Sequence, residues 1–199
     1  KFCFPAKKVL QDYKVIVTTF VTAGRIASAN FPSGHFSHVF LDEAGHATEP
    51  EAIIALAGII ETDVATPHGG QVVLTGDPEQ LGPILRSPVA LHYNLGTSLL
   101  ERLMKSCELY ARKDDGSTEV YDVRVVTKLL QNYRSHPSIL ELPNKLFYDN
   151  ELKACADKMS RECLCQWEGL PKKGFPIVFH GIAGQDTREE KSPDRKSVV

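Results

Sequence analysis

The chain has 199 residues, of which 42% are apolar and 24% are charged, and its formal net charge is −2. This balance indicates a folded core, and it excludes both a disordered chain and a surface that attracts nucleic acid through its overall charge. No apolar run reaches the roughly 20 residues that cross a bilayer, and residues 1–8 lack the apolar region of a signal peptide, which together predict an intracellular protein without membrane contact.

The five cysteines predict reduced thiols, because they are odd in number, scattered and without a secretory context. Cys163 and Cys165 form a Cys-x-Cys pair, which raises the question of zinc. A zinc site needs a second pair of Cys or His ligands at suitable spacing, and none accompanies this pair. No zinc site is therefore predicted.

The first half of the chain predicts a parallel α/β sheet. Three apolar runs, at residues 15–19, 39–43 and 72–77, each lead into polar or turn residues, as is typical of strands buried on both faces. Between the second and third runs, residues 48–60 begin with the spacing of a capping box and continue with apolar residues at helical spacing. Strand, helix and strand in this order predict parallel strands with right-handed crossovers, whose ligands lie beyond the carboxyl ends.

A boundary between two domains is predicted in the second half. Leucines at 95, 99 and 103 mark an amphipathic helix, with Ser98 and Glu101 in capping-box spacing. Residues 106–124 lose this periodicity and contain a polar, turn-forming stretch, which predicts a linker. We therefore assign residues 1–105 to the end of a first domain and residues 125–181 to the start of a second.

The second domain is predicted to open with a strand at residues 125–130. Ser135 can cap the helix that follows, and Pro143 should kink or end that helix. Residues 176–180 predict one more strand. Residues 182–199 turn polar and charged, which predicts disorder or a truncated element.

Two adjacent acids, Asp42 and Glu43, end the second apolar run. Because side chains alternate along an extended chain, the two acids face different directions and take different tasks. Asp42 is predicted to hold the Mg²⁺ of a bound nucleotide, and Glu43 to orient or deprotonate the attacking water. Taken alone, such a pair is also typical of an ordinary surface.

A turn rich in Gly and Pro follows the third apolar run, at residues 75–83, and exposes the carboxylate of Asp77 and the amide of Gln80. An amide can hydrogen-bond both a γ-phosphate and the attacking water, so Gln80 could distinguish ATP from ADP. Alternatively, the turn serves only backbone geometry, with Asp77 bonding its own loop.

Residues 132–137 carry the third candidate group. Arg134 can neutralise charge on a transferred phosphoryl group, and Tyr133 offers a flat face for adenine. The alternative is an exposed arginine and a half-buried tyrosine at the start of a helix.

Residues 42–45, 76–81 and 132–137 resemble, in order and spacing, motifs II, III and IV of the superfamily 1B RNA helicases of the up-frameshift type. A closer likeness, to the Moloney leukaemia virus 10 (Armitage-like) family of RNA helicases, covers about residues 1–193. The segments that carry it are residues 42–46, 85–88, 98–103, 154–157 and 174–181.

This resemblance implies two RecA-like domains that bind ATP and Mg²⁺ between them and move 5′ to 3′ along single-stranded RNA. The chain would supply a partial RecA-like parallel sheet with flanking helices and the start of the second RecA-like domain. The implied roles are Mg²⁺ ligand for Asp42, catalytic base for Glu43, γ-phosphate sensor for Gln80, adenine stacker for Tyr133 and phosphate-binding arginine for Arg134.

Residues 18–24 look like the motif Ib region of the same helicases, which implies that the hydroxyls of Thr18, Thr19 and Thr22 contact RNA phosphates. The alternative is that these threonines only favour a strand. The resemblance further implies protein partners in ribonucleoprotein granules and silencing complexes, and a cytoplasmic location in P-bodies.

The sequence also departs from the family. The 199 residues contain neither a Gly-x-x-x-x-Gly-Lys-Ser/Thr loop nor the arginine-bearing final motif, and residues 193–199 no longer resemble the family. Without that lysine and its loop, triphosphate binding should be weak, so the alternative function is an inactive module that binds RNA or protein. A metal-dependent phosphoesterase is not favoured, because no histidine has metal-ligand spacing with Asp42 and Asp77.

Overall fold

The structure is a computed structural model that describes residues 4–61, 69–114, 119–188 and 195–198. The chain divides into two compact units, Lys1–Thr127 and Lys128–Val199. These units are defined by contacts within the chain, and the domain boundaries derived from the sequence stay a prediction.

The first unit contains helices and short strands along its whole described length. The helices are α1 (Lys7–Gln11), α2 (Phe20–Ser28), α3 (Glu49–Ile54), α4 (Pro88–His92) and α5 (Leu99–Ser106). The strands are β1 (His38–Leu41), β2 (Gln71–Leu74), β3 (Lys113–Asp114) and β4 (Glu119–Val120).

Strands β1 and β2 are parallel, which confirms the prediction for the second and third apolar runs. Their register pairs His38 with Gln71 at one end and Leu41 with Leu74 at the other. Helix α3 lies between them in the chain and starts where the capping box predicts, with the N–H and the hydroxyl of Thr48 both donating to the Glu51 carboxylate at 3.0 Å. The helix ends at Ile54, before the predicted end at residue 60.

The expectation that these strands are buried on both faces is wrong. Leu41 is 1% exposed, whereas Phe40 is 67% exposed and Val73, its partner in the register, is 37% exposed. Burial alternates along β1 because only one face meets the core. That core joins β1 to α2, α3 and α5, and its buried members are Ala23, Leu41, Ala44, Ala52, Ala55, Leu99 and Leu100.

The strand predicted at residues 15–19 is absent from the described structure. Val17 is 92% exposed, so the apolar run does not enter a sheet. Instead, the hydroxyl of Thr19 accepts a hydrogen bond from the N–H of Thr22 at 3.3 Å and caps α2. The cap and the burial of the helix outweigh the strand preference of the β-branched residues before it.

Two further helices in this unit illustrate capping by serine. Helix α5 starts one residue after Ser98, whose hydroxyl accepts from the N–H of Glu101 at 3.1 Å, while the Glu101 carboxylate pairs with Lys105 instead of completing a capping box. The predicted helix therefore begins at Leu99, after Leu95. Helix α4 was not predicted, although it follows Ser87 and begins with a proline.

The second unit contains helices α6 (Pro137–Phe147) and α7 (Lys158–Glu162), and strands β5 (Gln131–Asn132), β6 (Lys153–Ala154), β7 (Gln185–Arg188) and β8 (Arg195–Val198). Strands β5 and β6 are parallel, and β7 and β8 are antiparallel. The strands predicted at residues 125–130 and 176–180 are wrong, because no strand lies within either segment. The pairing with β6 starts only at the end of the first segment, where the carbonyl of Leu130 accepts from the N–H of Lys153 at 2.8 Å. Leu129 and Phe179 are correspondingly 85% and 95% exposed.

Two local predictions for this unit are also corrected. Helix α6 is capped by His136 and not by Ser135, since the Nδ1 atom of His136 accepts from the N–H of Ser138 at 3.2 Å. The helix continues through Pro143 to Phe147, so the proline does not end it. In the tail at residues 182–199, β7 and β8 pair over four residues each, and the assignment of the whole tail as disordered or truncated stays a prediction.

Candidate functional site

The loops that follow β1 and β2 are joined backbone to backbone. The N–H of Thr75 donates to the carbonyl of Leu41 at 2.9 Å, and the N–H of Ala44 donates to the carbonyl of Thr75 at 2.8 Å. These bonds extend the backbone pairing beyond the strands, to Thr75, one residue after β2, and to Ala44, three residues after β1. The polar residues of both loops therefore leave the sheet at the same edge.

Two glycines allow the loops to approach each other closely. A Cβ atom on Gly76, whose φ is +156°, would lie 3.0 Å from the backbone nitrogen of Gly45. A Cβ atom on Gly45 would lie 3.2 Å from the carbonyl oxygen of Asp77. Because any larger residue would push the loops apart, glycine at these positions fixes the spacing of the side chains around them.

Asp42 presents one bonded and one free carboxylate oxygen. Its Oδ1 atom accepts from the Thr75 hydroxyl at 2.7 Å and from the N–H of Glu43 at 3.1 Å. No described residue bonds to Oδ2 of this exposed side chain. A free, oriented carboxylate oxygen is a ligand type that Mg²⁺ prefers, so Asp42 fits the predicted metal role.

Glu43 has a left-handed backbone with a φ of +52°. The prediction that Glu43 continues an extended chain is therefore wrong. The surroundings of its carboxylate nevertheless differ from those of the Asp42 carboxylate. The Glu43 side chain is 66% exposed, and its Oε2 atom lies 3.5 Å from Nδ1 of His46. A left-handed conformation costs a non-glycine residue roughly 1–2 kcal/mol, so this carboxylate is held in a strained loop.

Gln80 lies on the β2 loop, with its side-chain amide bonded to Asp77. Its Nε2 atom donates to Oδ2 of Asp77 at 2.9 Å, and Oδ1 of Asp77 accepts from the N–H of Glu79 at 3.0 Å. The alternative in which Asp77 bonds its own loop is thus confirmed. It does not displace the other interpretation, because Gln80 is exposed and keeps its Oε1 atom and one N–H for a ligand.

Asp42, Glu43 and Gln80 are therefore brought to one edge of the β1–β2 sheet, with Thr75 and Asp77 connecting them. The contact of Thr75 with Asp42 was not predicted from the sequence. Each residue directly follows a strand, but the contact also requires the two strands to end level with each other, and this register has no signal in the sequence.

An ion pair connects α3, the helix that follows the β1 loop, to α5. Arg102 of α5 binds Glu49 of α3 in a bidentate manner, with Nε to Oε2 at 2.6 Å and Nη2 to Oε1 at 2.7 Å. The hydrogen bonds from Arg102 lower the pKa of Glu49 below its ordinary value. The pair holds the starts of α3 and α5 together beside the core.

Tyr133 and Arg134 lie in the second unit, directly after β5. The Oδ1 atom of Asn132 accepts from the backbone N–H of Arg134 at 3.0 Å and of Ser135 at 2.7 Å. The Tyr133 hydroxyl donates to Oε1 of Gln131, and its side chain is 70% exposed, more open than the half-buried alternative supposes. The exposed Arg134 side chain makes no ion pair within the described residues.

The three threonines lie before and within the first turn of α2. Besides capping the helix, Thr19 donates its hydroxyl proton to the hydroxyl of Thr22 at 2.9 Å. Thr18 is exposed and has no side-chain partner among the described residues. The alternative in which these threonines form a strand is wrong, and their hydroxyls lie beside the free N–H groups of a helix start.

No three His, Cys, Asp or Glu side chains form a metal-binding group in the part of the chain that the structure describes. In the same part of the chain, no helix has the length and apolar character needed to span a membrane.

Two family models, both described as AAA domain, match residues 4–88 and 95–199. The second match alone covers more than half of the chain, so the chain belongs to the AAA domain family.

The chain is also similar to individual helicases over most of its length. The chain is 61% identical over 190 residues to "Putative helicase mov-10-B.1" of Danio rerio and 57% identical over 196 residues to "Putative helicase MOV-10" of Gallus gallus, with 96% of the chain covered in each case. It is 46% identical over 183 residues, 91% of the chain, to "RNA helicase Mov10l1" of Homo sapiens. The resemblance to the Moloney leukaemia virus 10 helicases is confirmed. The chain spans only 18%, 20% and 14% of the lengths of these three relatives.

Proposed function

We propose that the chain is part of an ATP-dependent RNA helicase and carries one face of its ATP-hydrolysis site. The observation that carries the proposal is the shared edge at which Asp42, Glu43 and Gln80 project beyond parallel strands. Open sheets of this type bind ligands at that edge. The relatives named as helicases favour a nucleotide as the ligand.

Each residue has a distinct task in this proposal. Asp42 holds Mg²⁺ through its free oxygen, and the bound ion would neutralise charge on the phosphates. Glu43 accepts a proton from the attacking water. Its carboxylate suits this role because it is exposed and has surroundings different from those of the Asp42 carboxylate. Gln80 contacts the γ-phosphate and the water with the amide groups that Asp77 leaves free.

The second unit would supply groups of a second RecA-like domain. Arg134 has a guanidinium without an ion-pair partner among the described residues, as a group that binds phosphate requires. Tyr133 has an exposed ring for adenine. The first unit would be the corresponding part of the first RecA-like domain.

RNA would contact the start of α2 in this proposal. The hydroxyls of Thr18, Thr19 and Thr22 lie where free helix N–H groups also favour a phosphate. Coupling of hydrolysis to these contacts would drive 5′ to 3′ movement on single-stranded RNA and remodelling of ribonucleoproteins. Roles in RNA silencing and mRNA decay, in cytoplasmic P-bodies, belong to the same proposal.

A second candidate is an inactive module that binds RNA or protein. It is favoured by the lack of a Gly-x-x-x-x-Gly-Lys-Ser/Thr loop in the 199 residues, since that loop supplies much of the binding energy for a triphosphate. Under this alternative, the isolated chain binds RNA or a protein but shows no RNA-stimulated turnover. Turnover by the isolated chain at the rate of the whole helicase would exclude it.

The test of the main proposal is Glu43→Gln in the whole helicase. We expect RNA-stimulated phosphate release to fall by about 10²–10⁴-fold, because the proton acceptor is lost. Binding of a fluorescent ATP analogue should change little, because Asp42 is untouched. The matched control is Glu108→Gln, which removes an exposed carboxylate that follows α5 and should leave turnover intact. Unchanged turnover in Glu43→Gln, or loss of ATP binding, would contradict the assigned role.

A further inference from the structure

We propose that Thr75 is a positioning residue, whose hydroxyl orients Asp42 so that its Oδ2 atom is presented to the divalent cation of the bound nucleotide. This inference rests on the proposed function, because it takes Asp42 as the metal ligand. It adds a residue for which the sequence motifs provide no role.

The backbone holds Thr75 in place on both sides. Its N–H donates to Leu41 at 2.9 Å and its carbonyl accepts from Ala44 at 2.8 Å, so the residue is fixed within the ladder. Leu41 and Ala44 are 1% and 0% exposed, which gives this anchor a packed support. The position of the hydroxyl relative to Asp42 is consequently a property of the sheet and not of a mobile loop.

The single proton of the Thr75 hydroxyl goes to Asp42. The hydroxyl lies 2.7 Å from Oδ1 of Asp42 and 3.4 Å from the carbonyl oxygen of Leu41. The shorter contact is to a charged acceptor, and such hydrogen bonds are the stronger ones. Together with the N–H of Glu43, the hydroxyl occupies Oδ1 and leaves Oδ2 open.

The next residue of the β2 loop cannot take over this role. Gly76 has a φ of +156°, and a side chain on it would lie 3.0 Å from the backbone of Gly45. Among the described residues, only Thr75 makes a side-chain hydrogen bond to Asp42. Its removal would leave the carboxylate held only by the N–H of Glu43 at 3.1 Å, and so freer to rotate about its terminal torsion, which has broad preferences.

The expected effect is on metal affinity. Loss of a hydrogen-bond partner that orients a metal-binding carboxylate typically weakens metal binding or activity by about 10–100-fold. A weakened site can still be filled by more metal. Thr75→Val should therefore raise the metal concentration that is needed, with a much smaller effect on the turnover reached at saturation.

The experiment uses the whole helicase in a Glu43→Gln background, so that binding is measured without hydrolysis. Binding of a fluorescent ATP analogue is followed as a function of Mn²⁺ and, separately, of Mg²⁺. Thr75→Val keeps the shape and removes the donor, Thr75→Ser keeps the donor, and Thr127→Val removes an exposed hydroxyl elsewhere. Thr75→Ala serves as a second variant without the donor, and melting curves check that each variant folds.

We expect the half-saturating metal concentration to rise about tenfold in Thr75→Val and Thr75→Ala, and to stay within about twofold of the parent in Thr75→Ser and Thr127→Val. With Glu43 restored, turnover of Thr75→Val should approach the parent value at saturating Mg²⁺. An unchanged or lower metal requirement in Thr75→Val overturns the inference, as does an equal rise in Thr75→Ser.

Asp42→Ala separates this inference from the proposed function. If Asp42→Ala abolishes metal-dependent binding of the analogue while Thr75→Val has no effect, the function stands and the role of Thr75 is refuted. If Asp42→Ala leaves the metal dependence unchanged, Asp42 is not the metal ligand and both proposals fail.

Discussion

The two segments that carry candidate site residues are held in different ways. The Asp42 and Gln80 loops extend a four-residue parallel pair and stand on a core in which Leu41 is 1% exposed. The Arg134 segment follows a parallel pair of two residues, and no residue of the adjoining helix α6 is buried. Tertiary packing fixes the first segment, whereas hydrogen bonds to Asn132 hold the second. Two segments that both carry sequence motifs can therefore differ in how rigidly the structure holds them.

The largest expected effect comes from Leu41→Ala, which removes the packed support of the first segment. Truncation of a buried leucine lowers the free energy of unfolding by about 2–5 kcal/mol, because a cavity is left behind. Urea unfolding followed by circular dichroism measures the loss, and hydrogen exchange should show faster exchange at Ala44 and Thr75. Leu129→Ala, at a leucine that is 85% exposed, is the matched control and should change stability little. Equal losses in both variants would contradict the contrast between the segments.

A smaller effect is expected from Asn132→Ala in the second segment. The substitution removes the acceptor for the N–H groups of Arg134 and Ser135, which should cost about 1 kcal/mol and raise their exchange rates about fivefold. Hydrogen exchange resolved by residue provides the measurement. Asn132→Asp retains the acceptor and should preserve protection at both amides. If Asn132→Ala leaves exchange unchanged, contacts other than this side chain hold the segment.

The smallest effect concerns pH and the Glu49–Arg102 pair. Since Arg102 lowers the pKa of Glu49 in the folded state, the pair adds stability above the unfolded pKa, about 4.3 for a glutamate, and loses it as the pH falls through the folded value. Melting temperatures of wild type and Glu49→Gln should therefore differ at pH 6 to 7 and converge as the pH falls through the lowered pKa of Glu49. The difference should be slight, because both side chains contact water. Glu108→Gln is the control, because Glu108 makes no ion pair within residues 4–61, 69–114, 119–188 and 195–198, and it should show no such convergence.

Some parts of the fold could be predicted from the sequence because they depend on neighbouring residues. The apolar runs before Asp42 and Thr75 gave β1 and β2 in the correct parallel arrangement, and the Thr48–Glu51 pair gave the start of α3. The run at residues 15–19 has a similar composition, but the strand predicted from it is wrong. A strand also needs a partner, and no pattern within the run supplies one.

The candidate site shows the same limit. Motif order identified Asp42, Glu43 and Gln80, and parallel strands placed them at one edge. The bond between Thr75 and Asp42 depends on the register of two strands that are 33 residues apart, and a hydroxyl after an apolar run has no signal of its own. The left-handed backbone of Glu43 was equally beyond a pattern of residue types, because it belongs to a turn in which the N–H of His46 donates to the Glu43 carbonyl at 2.9 Å.

That backbone has a practical consequence for directed evolution. Glycine would relieve the strain at position 43 at no steric expense, so a library sorted for heat resistance alone should enrich the substitution Glu43→Gly. Variants selected in this way would lack the carboxylate on which turnover is proposed to depend. A selection for thermal tolerance of this protein should therefore include a second sort for phosphate release.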